Sequence, residues 1–413
     1  MRVRQPGIER GTGGCYGDRT MRTQLIHQAL AVDFDYPVLF TRDLFDPANP
    51  VLHDTLCRLN ESRAHRVLVF IDGGLAESDP TIASRVSAAL HACAPDVELV
   101  KAPHIVPGGE AIKNDYRLTM EMVDTILEYR LCRHSFVLAV GGGAVLDAVG
   151  FATSIVHRGL RTVRAPTTTL AQNDAGVGVK NGMNLHGGKN TIGTFHPPFA
   201  VLNDFALLDT LPQVHWIGGV AEAFKVALIK DAEFFSVLCR EAERYRERDI
   251  AAMERMIIRC ADLHLEHIRM NGDPFEMGRA RPLDFGHWAA HKLETMSNYR
   301  VSHGEAVATG LAVDALCAVE RGWLASEDGD ALMRGLIASG FSLWHPELER
   351  RLGDGALEVL GGLADFQEHL GGELCITFPA GLGRKQEVHE IDPAGMERAV
   401  MRLKSFVAPF QGA

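Results

Sequence analysis

Paired cysteines, an excess of basic charge and long apolar runs are all missing from this sequence, and each absence excludes a class of protein. The eight cysteines are scattered and form no C-x-x-C pair, which favours isolated thiols in a reducing cytoplasm over a disulfide framework. The formal net charge is −11, and no basic helix suggests a nucleic-acid surface. No run approaches the roughly 20 apolar residues of a membrane span. We therefore expect a cytoplasmic protein that binds neither nucleic acid nor a membrane.

The length and composition fit a soluble globular protein. The 413 residues suffice for one large domain or two ordinary ones, and 46% of them are hydrophobic and 23% charged. Residues 1–20 are rich in glycine and arginine and lack the apolar centre of a secretory signal. We expect these residues to be a disordered extension.

The first half alternates apolar strands with helical patterns, which predicts a parallel sheet covered by helices on both faces. The predicted strands are residues 65–74, 96–106 and 135–143, and the predicted helices are residues 79–93, 114–131 and 144–156. From Asp209 onwards long helical patterns dominate, and residues 205–212 offer turn chemistry. We therefore predict an α/β domain over residues 21–208 and a helical domain over residues 209–413.

Glycines and acidic residues at predicted strand ends suggest a nucleotide site. Gly141, Gly142 and Gly143 follow an apolar strand and open a helix, whose free N–H groups can bind a pyrophosphate. Asp72 ends an earlier strand, where a carboxylate can accept hydrogen bonds from a ribose. A tight turn would explain the glycines equally well, and Asp72 alone is typical of a turn. The motif VPGGEAIK (106–113) strengthens the nucleotide interpretation.

Histidines and one glutamate in the second half suggest a metal site. His287 and His291 are four residues apart, so they share one face of a helix, a spacing that by itself is more often structural. Glu222 and His303 stand in small-residue helical segments near the predicted domain interface. Two imidazoles and one carboxylate leave an open position, as in catalytic zinc sites, and cobalt also fits. Two further histidines are lower-ranked candidates, which we interpret as surface or packing residues: His264 and His267.

The stretch 173–196 is too rich in glycine and asparagine for a simple strand or helix, so we expect a long loop. Lys180, Lys189 and Asn190 in this stretch, with Lys225, favour a site for a phosphorylated substrate. A solvated surface loop is the alternative. A dinucleotide beside a divalent metal can oxidise an alcohol and use the new ketone for further chemistry.

These motifs occur in the order found in the sugar phosphate cyclases, and residues 35–400 resemble that superfamily, which includes 3-dehydroquinate synthase and the sedoheptulose 7-phosphate cyclases. The matching segments are VPGGEAIK, AVGGGAVLD (139–147), APTTTLAQND (165–174), AEAFK (221–225), DFGHWAAHKLE (284–294) and SHGEAVA (302–308). The resemblance implies a Rossmann-like NAD domain, an all-α metal-binding domain, an active site between them and a homodimer.

The resemblance also implies roles for individual residues. The expected NAD contacts are Asp72, Glu110, Lys113, Gly142, Gly143, Asp147, Thr167, Thr168, Leu170 and Thr210. The expected ligands of Zn or Co are Glu222, His287 and His303. The expected substrate and catalytic residues are Asp174, Lys180, Lys189, Asn190, Lys225, Asp284 and His291. Arg158 resembles an arginine that reaches phosphate across the dimer interface, and Arg384 or Lys385 would supply a further phosphate contact.

Departures from the dehydroquinate synthase pattern R-x-x-L-N-x-G-H point to a different substrate. Ala280 replaces the arginine that would meet a substrate carboxylate, and Asp284 replaces the asparagine. A carboxylate there would repel an acidic substrate and accept hydrogen bonds from sugar hydroxyls, although Arg279 and Arg281 flank the position. DAGVGVKNG in place of DSSVGGKTG also suggests altered specificity.

His291 resembles the histidine of dehydroquinate synthase and of 2-epi-valiolone synthase-like enzymes, whereas 2-epi-5-epi-valiolone synthases have W-S-P near this point. The segment therefore looks most like the 2-epi-valiolone side of the family or a neighbouring clade. The function implied is a phosphate-eliminating cyclase that uses NAD and a divalent metal and acts on sedoheptulose 7-phosphate. The alternatives are 3-dehydroquinate synthase, with an acidic seven-carbon sugar phosphate as substrate, and a metal-dependent polyol dehydrogenase.

Overall fold

A computed structural model describes residues 25–186, 188–270, 275, 281–369 and 373–410. The predicted disordered extension, residues 1–20, lies outside these ranges, as do Arg279 and Ala280. Among the described helices, none combines the length and the apolar composition that crossing a membrane requires. The cysteines within the described ranges are all free thiols, as the sequence predicted.

The N-terminal part is built on a parallel sheet of seven strands. These strands are β1 (Val38–Thr41), β2 (His65–Asp72), β3 (Val97–Leu99), β4 (His104–Val106), β5 (Phe136–Gly141), β6 (Arg161–Pro166) and β9 (Ala200–Asp204). Their order in the sheet is β1-β9-β6-β5-β2-β3, with β4 also paired to β2. The chain leaves β2 towards one edge of the sheet and returns on its other side as β5. In such sheets ligands bind outside the carboxyl ends of the strands, at the point where the strand order reverses.

Helices cover both faces of this sheet. They are α1 (Val51–Cys57), α2 (Gly73–Ser78), α3 (Ile82–Ala92), α4 (Ala111–Asn114), α5 (Tyr116–Glu128) and α6 (Gly143–Ile155). The central strands β2 and β5 are almost continuous apolar runs, because side chains on both faces of a covered parallel sheet are buried. Alternate residues of these two strands enter two separate cores, one on each face.

Two local predictions in this part were wrong. The predicted strand 96–106 is divided into β3 and β4, which pair with different ends of β2. The predicted long loop 173–196 begins with a π-helical turn (Ala171–Ala175) and continues as an antiparallel hairpin of β7 (Lys180–Leu185) and β8 (Gly188–Phe195). The hairpin forms because the central residues of β7 are buried against the apolar core to which α6 also contributes.

The C-terminal part is mainly helical, as predicted. Its helices are α7 (Gln213–Lys230), α8 (Ala232–Arg246), α9 (Ile250–Met270), α10 (His287–Met296), α11 (His303–Glu320), α12 (Ser326–Ala338), α13 (Gly361–His369) and α14 (Pro393–Val407). A short hairpin of β10 (Ile376–Pro379) and β11 (Lys385–Val388) packs beside them. Helices α7 and α11 are buried on almost all sides and form the centre of this part. The predicted α/β fold with a helical C-terminal half is confirmed, whereas the division at residues 208/209 stays a prediction.

Candidate active site

The carboxyl edge of the sheet gathers the glycines and the acidic residue that the sequence singled out. The carboxylate of Asp72 accepts a hydrogen bond from Gly74 N at 2.8 Å and lies 3.3 Å from Gly142 N. A Cβ atom on Gly108 would stand 2.3 Å from Asp72 Oδ1. The loop after β4 can therefore approach Asp72 only because residue 108 is glycine, and Gly142 and Gly143 begin α6 immediately beside it.

A buried lysine joins this edge to the β7–β8 hairpin. Lys113 is 2% exposed, and its ammonium donates to Asp147 Oδ2 at 2.7 Å and to the Asn190 side chain. Glu110 lies 3.9 Å from the same ammonium and accepts a hydrogen bond from Asn184 at 2.7 Å. Burial alone would lower the pKa of Lys113, but the charges of Asp147 and Glu110 raise it. Three of the residues that the sequence predicted thus surround the ammonium of a fourth, Lys113.

The segment after β6 ties the sheet to the helical part. Thr167 is buried and Thr168 and Leu170 are half-buried at the start of this segment. The Thr169 hydroxyl donates to the carbonyl of residue 215 and accepts from Gly219 N at 3.0 Å. A Cβ atom on Gly219 would stand 2.7 Å from the Thr169 carbonyl carbon. Helix α7 can therefore lie directly on this backbone, which fixes the segment against the second half of the molecule.

Glu222, His287 and His303 gather into one potential metal site. Oε1 of Glu222 lies 3.6 Å from His287 Nε2 and 3.6 Å from His303 Nε2, and one ligand atom of each residue lies within 4.8 Å of the others. With metal–ligand bonds of about 2.0–2.1 Å, a tetrahedral ion separates its ligands by about 3.3–3.4 Å. Among the described residues, no hydrogen-bond donor satisfies the buried Oε1 of Glu222. The donor set and its spacing therefore fit one divalent ion.

Glycines bring the three helices that carry these ligands unusually close together. A Cβ atom on Gly304 would stand 2.6 Å from Gly218 Cα, so the backbones of α11 and α7 are in contact one residue after His303 and four residues before Glu222. A Cβ atom on Gly310 would stand 2.1 Å from the carbonyl oxygen of Gly286, the residue before His287. Close helix packing therefore sets the ligand spacing.

Asp314 holds the beginning of α10 in place. Its buried carboxylate accepts hydrogen bonds from Gly286 N at 3.1 Å and from Trp288 Nε1 at 2.9 Å, on either side of His287. Burial raises the pKa of Asp314 to about 7. The other ring nitrogen of His287, Nδ1, lies 3.1 Å from the Phe285 carbonyl oxygen, which leaves Nε2 directed towards Glu222.

Charged side chains extend from the candidate metal ligand Glu222 to Asp174, in the segment after β6. Lys225 forms a close ion pair with Glu222 Oε2, and its ammonium lies 3.7 Å from Asp174 Oδ2. Burial alone would lower the pKa of Lys225, but the two carboxylates raise it. His264 Nδ1 lies 2.9 Å from Asp174 Oδ1. Burial alone would raise the pKa of Asp174, but Lys225 and His264 hold it well below its usual range.

The position of His264 corrects the sequence interpretation. Its side chain is only 12% exposed and faces a predicted catalytic carboxylate rather than solvent or an apolar core. His264 reaches Asp174 because α9 packs across the π-helical turn, a long-range contact that the local sequence does not signal.

His291 and Asp284 lie close to the candidate metal ligands. The His291 ring is 5.3 Å from the His287 ring and 6.0 Å from the His303 ring, centroid to centroid. Burial and the charge of Lys189 hold the pKa of His291 well below its usual range, so its imidazole is neutral. Burial alone would raise the pKa of Asp284, but the charge of Lys180 lowers it. Asp284 is therefore an anion in the site.

Glu294 is a residue of this site that the sequence analysis missed. It is 3% exposed, and its Oε2 lies 3.1 Å from His303 Nδ1. Lys189 donates to both of its oxygens, at 2.7 and 2.9 Å. The helical spacing could have revealed it, because Glu294 follows His287 by seven residues and His291 by three, so it shares their face of α10.

Two predicted contacts lie apart from these clusters. Arg158 lines an open cavity of about 250 Å³ with Cys132, Arg133 and His157. Thr210 lines another cavity of about 490 Å³, whose other lining residues lie at the ends of β1 and β9 and in α2 and α3. Neither cavity wall includes a metal-ligand candidate, so the roles expected of these two residues stay predictions.

The chain matches models of known proteins over most of its length. Residues 103–218 match the N-terminal model of 3-dehydroquinate synthase and residues 219–354 match its C-terminal model. A 3-dehydroquinate synthase from Pelobacter propionicus is 33% identical over 293 residues, which cover 71% of this chain and 79% of that protein. A 2-epi-5-epi-valiolone synthase from Streptomyces glaucescens is 34% identical over 374 residues, which cover 89% of this chain and 90% of that protein.

A solved structure shares the fold. The 2-epi-5-epi-valiolone synthase from Streptomyces hygroscopicus subsp. jinggangensis 5008, solved with NAD+ and Zn2+ bound, superposes with a TM-score of 0.80 at 29% identity. The match covers 92% of this chain and 99% of that one. The chain therefore belongs to the 3-dehydroquinate synthase family, the sugar phosphate cyclases.

Proposed function

We propose that this protein is an NAD- and divalent-metal-dependent cyclase that eliminates phosphate from sedoheptulose 7-phosphate and closes a carbocycle by intramolecular aldol addition. The observation that carries the proposal is the convergence of Glu222, His287 and His303 within 3.6 Å contacts, beside the buried Lys225. This donor set occurs within the fold of a relative that was solved with NAD+ and Zn2+. The proposed site lies between the sheet and the helical part.

The residues present fit both cofactors. Glu222, His287 and His303 would hold the metal, with Zn and Co as the candidate ions. The glycines beside Asp72, which are Gly142 and Gly143, let the protein backbone come close to a bound dinucleotide. The free N–H groups at the start of α6 suit its pyrophosphate. The further NAD contacts that we propose are Glu110, Lys113, Asp147, Thr167, Thr168, Leu170 and Thr210. When bound, NAD would accept and return a hydride, and the metal would polarise the oxygen of the alcohol being oxidised.

The side chains of the chain itself bind and orient the sugar phosphate. Hydrogen bonds to the phosphate oxygens can come from two ammonium groups, those of Lys180 and Lys189, and from the side-chain amide of Asn190. Arg158 would add a guanidinium from the second subunit of a homodimer. We propose that phosphate leaves as an anion, and that these donors stabilise its charge as the carbon–oxygen bond breaks.

The acidic and imidazole groups face the hydroxyl end of the substrate. Asp174 is held as a carboxylate by Lys225 and His264, so it can accept a hydrogen bond or a proton from a sugar hydroxyl. His291 is a neutral imidazole, which can accept a proton at one nitrogen and donate from the other. These groups therefore suit the proton transfers that phosphate loss and ring closure require.

Asp284 favours a sugar phosphate without a carboxylate group over one that carries a carboxylate. Its pKa is lowered, so the carboxylate is ionised, and an anion at this position repels a substrate carboxylate. The main alternative is 3-dehydroquinate synthase, which the family models and the Pelobacter relative favour. Lys180 lies beside Asp284 and offsets part of its charge, which is the feature that keeps this alternative open.

The test is incubation of the NAD- and Zn- or Co-loaded protein with sedoheptulose 7-phosphate and, separately, with the acidic seven-carbon sugar phosphate. We expect release of inorganic phosphate from sedoheptulose 7-phosphate, a cyclic product by mass spectrometry and no accumulation of NADH. Release only from the acidic sugar would establish the alternative. Accumulation of NADH from a polyol, without phosphate release, would point to a net dehydrogenase and overturn the proposal.

A further inference from the structure

Glu294 is placed between a proposed metal ligand and a proposed phosphate contact. It lies on α10, and its nearly inaccessible carboxylate is shared by His303 Nδ1 at 3.1 Å and Lys189 Nζ at 2.7 and 2.9 Å. Lys189 belongs to the β7–β8 hairpin, whereas His303 begins α11. One carboxylate therefore connects the two halves of the site.

The contact with Glu294 determines which nitrogen of His303 is available. Nδ1 faces the Glu294 carboxylate, so the stable arrangement places the proton on Nδ1 and leaves the lone pair on Nε2. Nε2 is the nitrogen that lies 3.6 Å from Glu222 Oε1. Carboxylates that accept the second proton of a metal-binding imidazole orient the ring and raise its basicity as a ligand.

Glu294 could alternatively bind an ion itself. His291, Glu294 and His303 also offer ligand atoms within 4.8 Å of one another. The Lys189 ammonium, however, occupies both oxygens of Glu294 at hydrogen-bonding distance, and a cation at that position repels a metal ion. Glu222 has a buried oxygen facing both imidazoles, so the group with Glu222 is the better cation site.

We propose that Glu294 is a positioning residue that couples Lys189 to the metal ligand His303. The inference rests on the metal and phosphate sites of the proposed function. While Lys189 is paired with Glu294, the ammonium withdraws negative charge from the carboxylate and weakens its effect on His303. When Lys189 is removed, or when an anion engages it, the carboxylate acts fully on the imidazole and strengthens metal binding through Nε2.

The experiment is a double-mutant cycle with metal affinity as its readout. Affinity for Co2+ and Zn2+ is measured by competition with a chelating dye, without sugar substrate, for the wild type, Lys189→Met, Glu294→Gln and the double variant. Glu294→Gln preserves the volume and one acceptor oxygen but removes the charge. We expect it to weaken metal binding about 10- to 100-fold. Lys189→Met is expected to strengthen metal binding severalfold in the wild-type background and to have a clearly smaller effect in the Glu294→Gln background.

The controls separate this coupling from simple loss of structure. Lys292, on the same helix as Glu294, pairs with the carboxylate of Asp365. Asp365→Asn removes that carboxylate and should leave metal affinity unchanged. The visible absorption of bound Co2+ reports its coordination and should change in Glu294→Gln but not in Asp365→Asn. Equal effects of Lys189→Met in both backgrounds, or wild-type metal affinity in Glu294→Gln, would overturn the inference. Because no sugar is present, a failure of the proposed cyclase activity is a separate result.

Discussion

Replacing Gly304 with alanine tests whether close packing of α7 and α11 sets the metal-ligand spacing. The new Cβ atom would stand 2.6 Å from Gly218 Cα and 2.8 Å from the Gly218 carbonyl oxygen. Non-bonded carbon atoms prefer about 3.5–4.0 Å, so the two helices must separate by roughly 1 Å. Glu222 follows Gly218 by one helical turn and would move with it, away from His303.

The size of the effect follows from the cost of overpacking. Forcing an additional methyl group into a packed core costs about 1–3 kcal/mol. If the helices relieve this strain by separating, metal binding must bring them back together, so the strain destabilises the metal-bound state alone. Metal affinity would then fall roughly 5- to 150-fold. A further separation of roughly 1 Å, added to the 3.6 Å between Glu222 Oε1 and His303 Nε2, would exceed the spacing that one tetrahedral ion can bridge.

The assay is titration of the metal-free variant with Zn2+ against a competing chelator, together with thermal unfolding of the metal-free and metal-loaded forms. Gly218→Ala is the matched control, because a Cβ atom at that position would meet no atom within 4 Å. We expect Gly304→Ala to lose affinity and Gly218→Ala to retain it within about twofold to threefold, apart from small helix-propensity effects. Wild-type affinity in Gly304→Ala, or an equal loss in both variants, would refute the packing argument.

Three further outcomes are expected. Burial alone would lower the pKa of His303, but the charge of Glu294 raises it to about 9, whereas burial keeps His287 neutral. Since His303 must then lose one proton for each ion bound, metal affinity should rise about tenfold per pH unit from pH ~7 to ~9. A flat pH profile of metal affinity would contradict this assignment. His264→Leu should lower kcat/KM about 10- to 100-fold, because it removes the charge-assisted contact with Asp174, the proposed catalytic carboxylate. Partial recovery is expected in His264→Asn, and equal activity of wild type and both variants would count against this role. The buried Arg164 donates to three backbone carbonyls and to an amide oxygen around the turn before β7, so Arg164→Gln should reduce the free energy of unfolding by about 2 kcal/mol or more in urea titrations, and unchanged stability would contradict this role.

The alternation of apolar strands and helical patterns was sufficient to predict the sheet and its covering helices. Apolar strands such as Phe136–Gly141 are buried on both faces, so their sequence carries the signal directly. The hairpin of β7 and β8 could not be predicted in this way, because its glycines and asparagines have low intrinsic strand preference. It forms through pairing between its two strands and packing against α6, which are contacts between distant residues.

The candidate metal ligands could be proposed from the sequence because their chemistry is distinctive and their motifs resemble a known family. Glu222, His287 and His303 do converge as that prediction required. The contact of His264 with Asp174 was not predictable, since it depends on how α9 crosses a turn nearly a hundred residues earlier in the chain. Glu294 was overlooked although its helical spacing from His287 was visible in the sequence. The proposed substrate choice rests on Asp284, whose charge is partly offset by Lys180.

The most direct measurement is anomalous diffraction from crystals of the protein loaded with NAD and Co2+ or Zn2+. We expect a single strong anomalous peak within about 2.3 Å of Glu222 Oε1, His287 Nε2 and His303 Nε2, on the side that faces the nicotinamide. A peak held instead by His291, Glu294 and His303, or an ion remote from the bound dinucleotide, would contradict the proposed active site.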